Sequence, residues 1–191
     1  MNKNFIICKQ YDSMQCGIAC LAMICKYYGN HYDITHIRNL CTTSHEGVSL
    51  YAISRAAENV GFRTIGIQLT ISELGQESFL PCIIYWNQNH FVVLYKIKKT
   101  SRGLVFYVAN PATGMIAKFN ELEFGNCFLN SINAQGSGVG IALYLSPTNK
   151  FYEKKGDDNK KKIQALEFLY SYLKPYKKQF LLLIMVLIFG T

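Results

Sequence analysis

The chain changes its apolar periodicity once, near residue 61, and this change limits the folds available to it more than any other feature. Before that point, apolar residues recur at helical spacing over residues 17–28, 35–40 and 49–60. After it, short apolar runs predict strands at residues 62–69, 82–86, 91–95, 104–109, 115–119 and 140–145. Helices first and strands later favour an α+β domain of two layers, in which N-terminal helices pack on an antiparallel sheet.

Turn and capping residues mark the ends of these elements. Asp33 is the expected cap of the second helix, and Gly29 and Gly61 are expected to end the first and the third. A Thr-Ile-Ser-Glu sequence resembles a capping box, which predicts a helical turn over residues 70–74. Residues 87–89, Asn-Gln-Asn, separate two apolar runs and predict a hairpin.

Cys16 stands directly before the first helical segment, with Gln10 six residues upstream. The positive end of a helix dipole stabilises a thiolate, so a cysteine in this place is a candidate nucleophile poised for attack. The side-chain amide of Gln10 can donate a hydrogen bond to the oxyanion that forms when this sulfur attacks a carbonyl. The alternative is that Cys16 is a small buried apolar residue that opens a core helix.

A cysteine nucleophile needs a base, and His90 is the best placed of the four histidines because it opens a predicted strand at the hairpin. Asn110 follows the next predicted strand, and its amide oxygen can accept a hydrogen bond from the His90 ring, which leaves the other ring nitrogen for Cys16. Taken separately, His90 also fits a structural turn residue, and Asn110 fits ordinary turn chemistry in Asn-Pro-Ala-Thr-Gly. Together, the order Gln, Cys, His, Asn is typical of papain-like sites.

The seven cysteines are odd in number, contain no CxxC pair and show no zinc-ligand spacing. With no secretory signal in the sequence, this pattern favours reduced thiols in a cytosolic compartment. No metal site is expected.

The segment from Gln10 to Gly29 carries the pattern Gln-x5-Cys-Gly-x-Ala-Cys-Leu-Ala-Met-Ile followed by Tyr-Tyr-Gly. It resembles the bacteriocin-processing cysteine peptidase domain, the double-glycine leader peptidase at the N-terminus of peptidase-containing ABC transporters. Similar motifs begin at Gly47, His90 and Asn110, and the resemblance covers about residues 5–191.

Carried over position by position, the resemblance implies that Cys16 is the nucleophile and that His90 is the general base and acid. It places Gln10 in the oxyanion hole together with the backbone N–H of Cys16. Asn110 stands where the family usually has Asp, and an amide orients the ring without supplying the charge of a carboxylate. Gln15 also departs from the Asp that commonly precedes the cysteine, at a position with no required chemical step.

The resemblance further implies a papain-like fold and a cysteine endopeptidase that cuts after a Gly-Gly or Gly-Ala pair. The substrate would be a precursor of a bacteriocin or a related secreted peptide, with its leader docked as an amphipathic helix in an apolar groove. The alternative is a non-catalytic docking domain that holds leaders for an exporter. Family members of that kind lack the cysteine, which this chain retains.

The C-terminal part of the sequence differs from the rest in charge and hydropathy. Residues 1–147 are expected to form the peptidase domain, 148–162 a charged linker, and 163–191 an amphipathic segment followed by the start of a first transmembrane helix. The alternative for the last apolar run is a buried or interfacial C-terminal helix. Of the net charge of +8, residues 150–191 contribute nine Lys against four acidic residues, a net of +5. This placement favours a membrane surface over nucleic acid as a partner, and lysines beside the apolar run favour the cytoplasmic side for the domain. The resemblance implies that the membrane is a bacterial inner membrane.

No Gly-x4-Gly-Lys-Ser/Thr sequence is present, so these residues are not expected to bind ATP. The resemblance implies that ATP acts only through a nucleotide-binding domain absent here. The partners it implies are a precursor peptide with a double-glycine leader and the rest of a dimeric ABC transporter.

Overall fold

The computed structural model describes residues 5–10, 12–41, 47–76 and 79–153, and in them a sheet separates two layers of helices. The helices are α1 (Cys16–Tyr27), α2 (Ile34–Leu40), α3 (Leu50–Val60), α4 (Ile71–Gln76), α5 (Glu121–Phe128) and α6 (Asn149–Glu153). The strands are β1 (Phe62–Leu69), β2 (Cys82–Trp86), β3 (His90–Thr100), β4 (Gly103–Asn110), β5 (Met115–Asn120), β6 (Ser131–Ile132) and β7 (Gly138–Pro147). A 3-10 turn, Ser13–Gln15, precedes α1. The predicted antiparallel sheet with N-terminal helices packed on it is confirmed.

The sheet is antiparallel and has the strand order β1, β7, β2, β3, β4, β5, with β6 paired to β7. Strands β2 and β3 form the predicted hairpin, in which Trp86 lies opposite His90. Strand β4 runs back along β3 and pairs Ala109 with Val93. The end of β4, which carries Asn110, is therefore brought to the end of β3 that carries His90.

Both faces of the sheet are covered, so the prediction of two layers is wrong. Ile83 and Val93 belong to the core formed with α1, α2 and α3, whereas Ile84 and Val92 belong to a second core formed with α4 and α5. Successive strand residues face opposite sides of a sheet. Because the central strands are apolar at nearly every position, each face needs a helical layer to exclude water.

Local signals set the ends of the helices largely as predicted. The Asp33 side chain caps α2 by accepting the N–H of Thr35, and α3 ends at Gly61, whose φ of +111° favours glycine. Helix α1 ends at Tyr27, and Gly29 follows with a φ of +91°. The predicted capping box before α4 is present, although the helix extends to Gln76 rather than forming a single turn.

Helix α5 is absent from the sequence prediction, although its start carries a clear signal. The Asn120 side chain accepts the N–H of Glu123 at 2.9 Å, and the Glu123 carboxylate accepts the N–H of Asn120 at 3.1 Å. This reciprocal pair is a capping box, and Phe124 and Phe128 then lie on the buried side of the helix. The Asn-x-x-Glu spacing is the sequence signal that marks the start of this helix.

The sequence predicts a charged linker from residue 148, whereas the structure continues the domain through α6. Phe151 is fully buried, and its ring centroid lies 4.4 Å from that of Phe62. The Asn30 side-chain amide donates a hydrogen bond to the Phe151 carbonyl at 2.9 Å. One buried aromatic residue therefore ties this polar segment to the core.

Residues 154–191 lie outside the described residues, and with them the rest of the predicted linker, the amphipathic segment and the predicted transmembrane helix. Along the part of the chain that is described, no helix combines the length and the apolar composition needed to cross a bilayer.

Phe151→Ala is expected to lower the free energy of unfolding by about 3–5 kcal/mol, because it empties a fully buried aromatic site. Tyr152→Ala is the matched control, since the neighbouring ring is 60% exposed and its loss should change stability by about 0.5 kcal/mol or less. Urea unfolding followed by circular dichroism measures both. Equally small effects would contradict the inclusion of α6 in the domain.

Candidate active site

Cys16 is the first residue of α1, as the sequence predicts, and it is 6% exposed. The Asp12 side chain accepts the N–H of Met14 at 3.0 Å and so holds the 3-10 turn that leads into the helix. Gly17 comes next, and a Cβ at this position would lie 2.8 Å from Cγ1 of Ile53. Glycine therefore lets α1 and α3 approach closely beside the sulfur.

Backbone amides near the Cys16 sulfur favour its thiolate, namely those of Phe91, Gly17 and Cys16 itself. Phe91 directly follows His90 on β3, and its carbonyl accepts a hydrogen bond from the thiol of Cys20 at 3.3 Å. This bond joins the helix that carries the candidate nucleophile to the strand that carries the candidate base.

Burial raises the pKa of the Cys16 thiol, and the hydrogen bonds from the three backbone amides lower it by less. The thiol of the resting site is therefore protonated near neutral pH. This differs from the expectation that the helix start alone stabilises a thiolate. The reason is that desolvation destabilises the thiolate by more than the helix terminus stabilises it. Attack by the sulfur thus needs a base that takes the proton.

His90 and Asn110 meet as the sequence predicts. His90 Nε2 lies 3.0 Å from Asn110 Oδ1, and the same oxygen accepts the N–H of Ala112 at 2.9 Å. The bond from Ala112 identifies this atom as the amide oxygen, which can only accept, so Nε2 carries the proton. Nδ1 of His90 is then the basic nitrogen, available to a thiol.

Gln10 lies beside the same turn through its backbone. Its N–H donates to the carbonyl of Pro111 at 3.0 Å, one residue after Asn110. Its side-chain Oε1 is buried and has no hydrogen-bond partner among the described residues. Because Oε1 can only accept a hydrogen bond, Nε2 of the same side chain is the group that could donate to an oxyanion.

A cleft of about 630 Å³ opens at Cys16. Its wall combines the start of α3, the segment before it, and the β2–β3 hairpin, with these residues at its surface: Met14, Cys16, Gly47, Val48, Ser49, Leu50, Tyr85, Gln88, Asn89, Phe91 and Ile141. The Gly-Val-Ser-Leu motif noted in the sequence is therefore part of the cleft. Tyr85, Gln88 and Asn89 were missed as cleft residues, because only the folded hairpin turns them toward Cys16.

The tip of this hairpin is fixed in an unusual backbone conformation. Asn87 and Gln88 have φ values of +48° and +59°, which residues other than glycine seldom adopt. The N–H of Asn87 donates to the carbonyl of Cys127 at 2.8 Å, and the Tyr85 hydroxyl donates to the carbonyl of Gln88. These two bonds hold the strained residues in place, so the cleft wall they form is rigid.

All seven cysteines are free thiols. Within the ranges that the structure describes, no group of three His, Cys, Asp or Glu side chains could hold a metal ion. What the arrangement offers chemically is a thiol at a helix start, an imidazole oriented by an amide, and a buried amide beside them.

The Peptidase C39 family model matches residues 4–132. Among curated proteins, the chain is similar to the probable microcin-H47 secretion/processing ATP-binding protein of Escherichia coli, with 33% identity over 142 residues. It is also similar to the lactococcin-G-processing and transport ATP-binding protein of Lactococcus lactis subsp. lactis, with 35% identity over 115 residues. These alignments cover 74% and 57% of this chain, but 18% and 16% of the two relatives. The chain thus spans less than a fifth of their length.

Among solved structures, the chain is similar to a double glycine motif protease from an AMS/PCAT transporter, crystallised in complex with the leader peptide. The TM-score is 0.64 at 33% identity, over 74% of this chain and 91% of that one. The peptidase domain of Streptococcus ComA gives a TM-score of 0.61 at 24% identity, over 76% of this chain and all of that one, a likeness that concerns the fold.

Asn110→Ala is expected to slow reaction at Cys16 by about tenfold to a hundredfold, because the His90 ring loses its orienting partner. Asn133→Ala is the matched control, since its side chain accepts the N–H of Gln135 in the same kind of turn without contacting a histidine. The measurement is the rate of peptide cleavage at saturating substrate. A similar loss of cleavage rate in both variants would show that Asn110 affects the reaction only by stabilising its turn.

Alkylation of Cys16 by iodoacetamide is expected to accelerate about tenfold per pH unit from about pH 6 to about pH 8. The reason is that the thiol pKa lies above its ordinary value of 9.0, so the thiolate fraction is still rising over this range. Mass spectrometry of the labelled peptide measures the rate, and Cys16→Ala identifies the signal. A rate that is flat over this range would contradict a protonated resting thiol.

Proposed function

The chain belongs to the peptidase C39 family, and we propose that it is a cysteine endopeptidase that cleaves leader peptides after a double-glycine type motif. The substrates would be precursors of bacteriocins or related secreted peptides.

One observation carries the proposal. A single stretch of β3 connects the candidate groups, because the Phe91 carbonyl bonds to the thiol of Cys20, one turn after Cys16 on α1, while His90, the residue before Phe91, bonds to Asn110. A buried thiol, a base of defined tautomer and an orienting amide are the parts that acyl transfer through a cysteine requires. A cysteine that only filled space in the core would not require an oriented histidine on the neighbouring strand.

In the first half of the reaction, the Cys16 sulfur attacks the carbonyl carbon of the second small residue, and His90 Nδ1 takes the thiol proton. The carbonyl oxygen becomes an oxyanion, which the Gln10 side-chain amide and the Cys16 backbone N–H stabilise by donating hydrogen bonds. The tetrahedral intermediate then collapses. The C–N bond breaks, His90 returns the proton to the leaving amine, and a thioester to Cys16 remains.

In the second half, His90 Nδ1 takes a proton from a water molecule, whose oxygen attacks the thioester carbon. The C–S bond breaks, the leader leaves with a free carboxylate, and the Cys16 sulfur regains its proton. Asn110 keeps Nε2 protonated throughout, so the same nitrogen acts as base and acid in turn. Activity requires reducing conditions, since the nucleophile must remain a thiol.

The substrate class follows from the cleft and from the relatives. The solved double glycine motif protease, at 33% identity, was crystallised with its leader peptide. Small residues before the scissile bond suit this cleft, because its wall is formed by a hairpin tip held by hydrogen bonds and by the start of a helix. We propose that the rest of the leader docks as an amphipathic helix in an apolar groove.

We further propose that this domain works as part of a dimeric ABC transporter, on the cytoplasmic side of a bacterial inner membrane. Support comes from the curated relatives, whose printed names combine secretion or transport with processing and ATP binding. In this proposal ATP is used by a nucleotide-binding domain outside these 191 residues. The lysine-rich and apolar residues after position 153 would lead into the membrane.

The test is cleavage of synthetic precursors with double-glycine leaders under reducing conditions, using several leaders in parallel. Cleavage after the second small residue is expected, and Cys16→Ala should abolish it because no other group can form the thioester. Leader binding by both proteins without cleavage would instead show a docking domain. If the protein neither binds nor cleaves any of the leaders, both the peptidase hypothesis and the docking-domain hypothesis are contradicted.

In the same assay, Gln10→Ala should lower kcat by about a hundredfold to a thousandfold through loss of an oxyanion donor. Gln135→Ala, a change at an exposed turn residue, is the matched control and should leave kcat unchanged. A reduced affinity with unchanged kcat in Gln10→Ala would remove Gln10 from the proposed mechanism.

A further inference from the structure

A cysteine of α1 other than Cys16 holds one residue of β3. The Phe91 carbonyl accepts a hydrogen bond from the thiol of Cys20 at 3.3 Å, and the amide of the same residue is among the backbone groups that favour the Cys16 thiolate. We propose that Cys20 is a positioning residue that fixes the first residues of β3 against α1, so that His90 faces Cys16. The proposal rests on the proposed cysteine peptidase function, whose chemistry it deepens.

The geometry of a helix and a strand makes this arrangement effective. Cys16 and Cys20 are four residues apart in α1, so their side chains lie on the same face one turn apart. The N–H and the C=O of one strand residue point to the same side of the strand. The carbonyl that Cys20 binds and the Phe91 amide therefore lie on one side of β3, and the bond from Cys20 opposes sliding of the strand along the helix.

Pairing with β4 does not fix Phe91 at the start of β3. In the described residues, the ladder between β3 and β4 begins at Val93 and Ala109, two residues beyond Phe91. Strand β2 pairs with the start of β3 on the other side, through Tyr85 and Trp86. On the side where β4 has not yet joined, the bond from Cys20 takes the place of a ladder hydrogen bond.

Cys20 is suited to the role of permanent donor. It is fully buried, and burial raises the pKa of its thiol well above the usual range, with smaller contributions from Cys16 and Cys8. The thiol therefore keeps its proton and continues to donate to Phe91 throughout the reaction. Among the described residues that line the cleft with Cys16, Tyr85 on β2 is the other titratable group, and His90 precedes the cleft residue Phe91 on β3.

Cys20→Ala leaves the Phe91 carbonyl buried without a donor, which a folded chain avoids by moving the peptide. That movement shifts His90 and moves the Phe91 amide relative to Cys16. Because this amide favours the Cys16 thiolate, its displacement should move the alkylation profile of Cys16 to higher pH. A displaced base should also lower kcat/KM by about tenfold to a hundredfold.

The experiment compares the full-length wild type with Cys20→Ala, Cys20→Ser and Cys25→Ala. Cys25 is the matched control, since it lies on the same helix and is equally buried, but its sulfur makes no hydrogen bond to β3 among the described residues. The serine hydroxyl keeps a donor at position 20. Iodoacetamide labelling of Cys16 against pH, kcat/KM on a leader peptide and thermal unfolding are measured for each protein.

We expect the shifted profile and reduced kcat/KM in Cys20→Ala only, recovery toward wild type in Cys20→Ser, and lower thermal stability alone in Cys25→Ala. A pH profile in Cys20→Ala that matches wild type or Cys25→Ala would overturn the proposal. So would a folded Cys20→Ser protein that keeps the alanine profile. If the wild type cleaves no leader, the proposed function fails, and the labelling profiles still decide the role of Cys20.

Discussion

The packing of α1 against the start of β3 determines where the candidate nucleophile and the candidate base lie. Helix α1 is buried along its first ten residues, so its position is set by the core rather than by solvent-exposed contacts. Cys16 begins this helix, and one turn later the thiol of Cys20 bonds to the carbonyl of Phe91, the residue after His90. The next strand then brings Asn110 to the His90 ring. A catalytic site built on two packed elements in this way inherits the stiffness of the core.

The sequence predicted the parts of the fold that depend on nearby residues. The hairpin, the cap at Asp33 and the end of α3 at Gly61 all follow from patterns a few residues long, and all are present. The second helical layer was missed because α5 follows a short strand directly, with only the Asn120 and Glu123 pair to mark its start. The burial of Phe151 was missed because its partners Phe62 and Asn30 lie far away in sequence.

The same distinction applies to the site. Residue types and their order were enough to select Cys16, His90, Asn110 and Gln10, and the structure brings His90 and Asn110 into contact. The protonation of the thiol could not be predicted, because burial is a property of the whole fold and outweighs the local effect of a helix start. A neutral thiol fits the amide at position 110, which orients the His90 ring without adding a charge to the site.

The hydrogen bond from Asn87 to the carbonyl of Cys127 connects the two sides of the molecule. Cys127 belongs to α5, which covers the face of the sheet opposite α1, whereas Gln88 and Asn89 border the cleft. Helix α5 therefore supports the cleft wall from the opposite face of the sheet. Substitutions in α5 residues that no substrate contacts would then change the width of the cleft. They would thereby alter which residues are accepted beside the scissile bond.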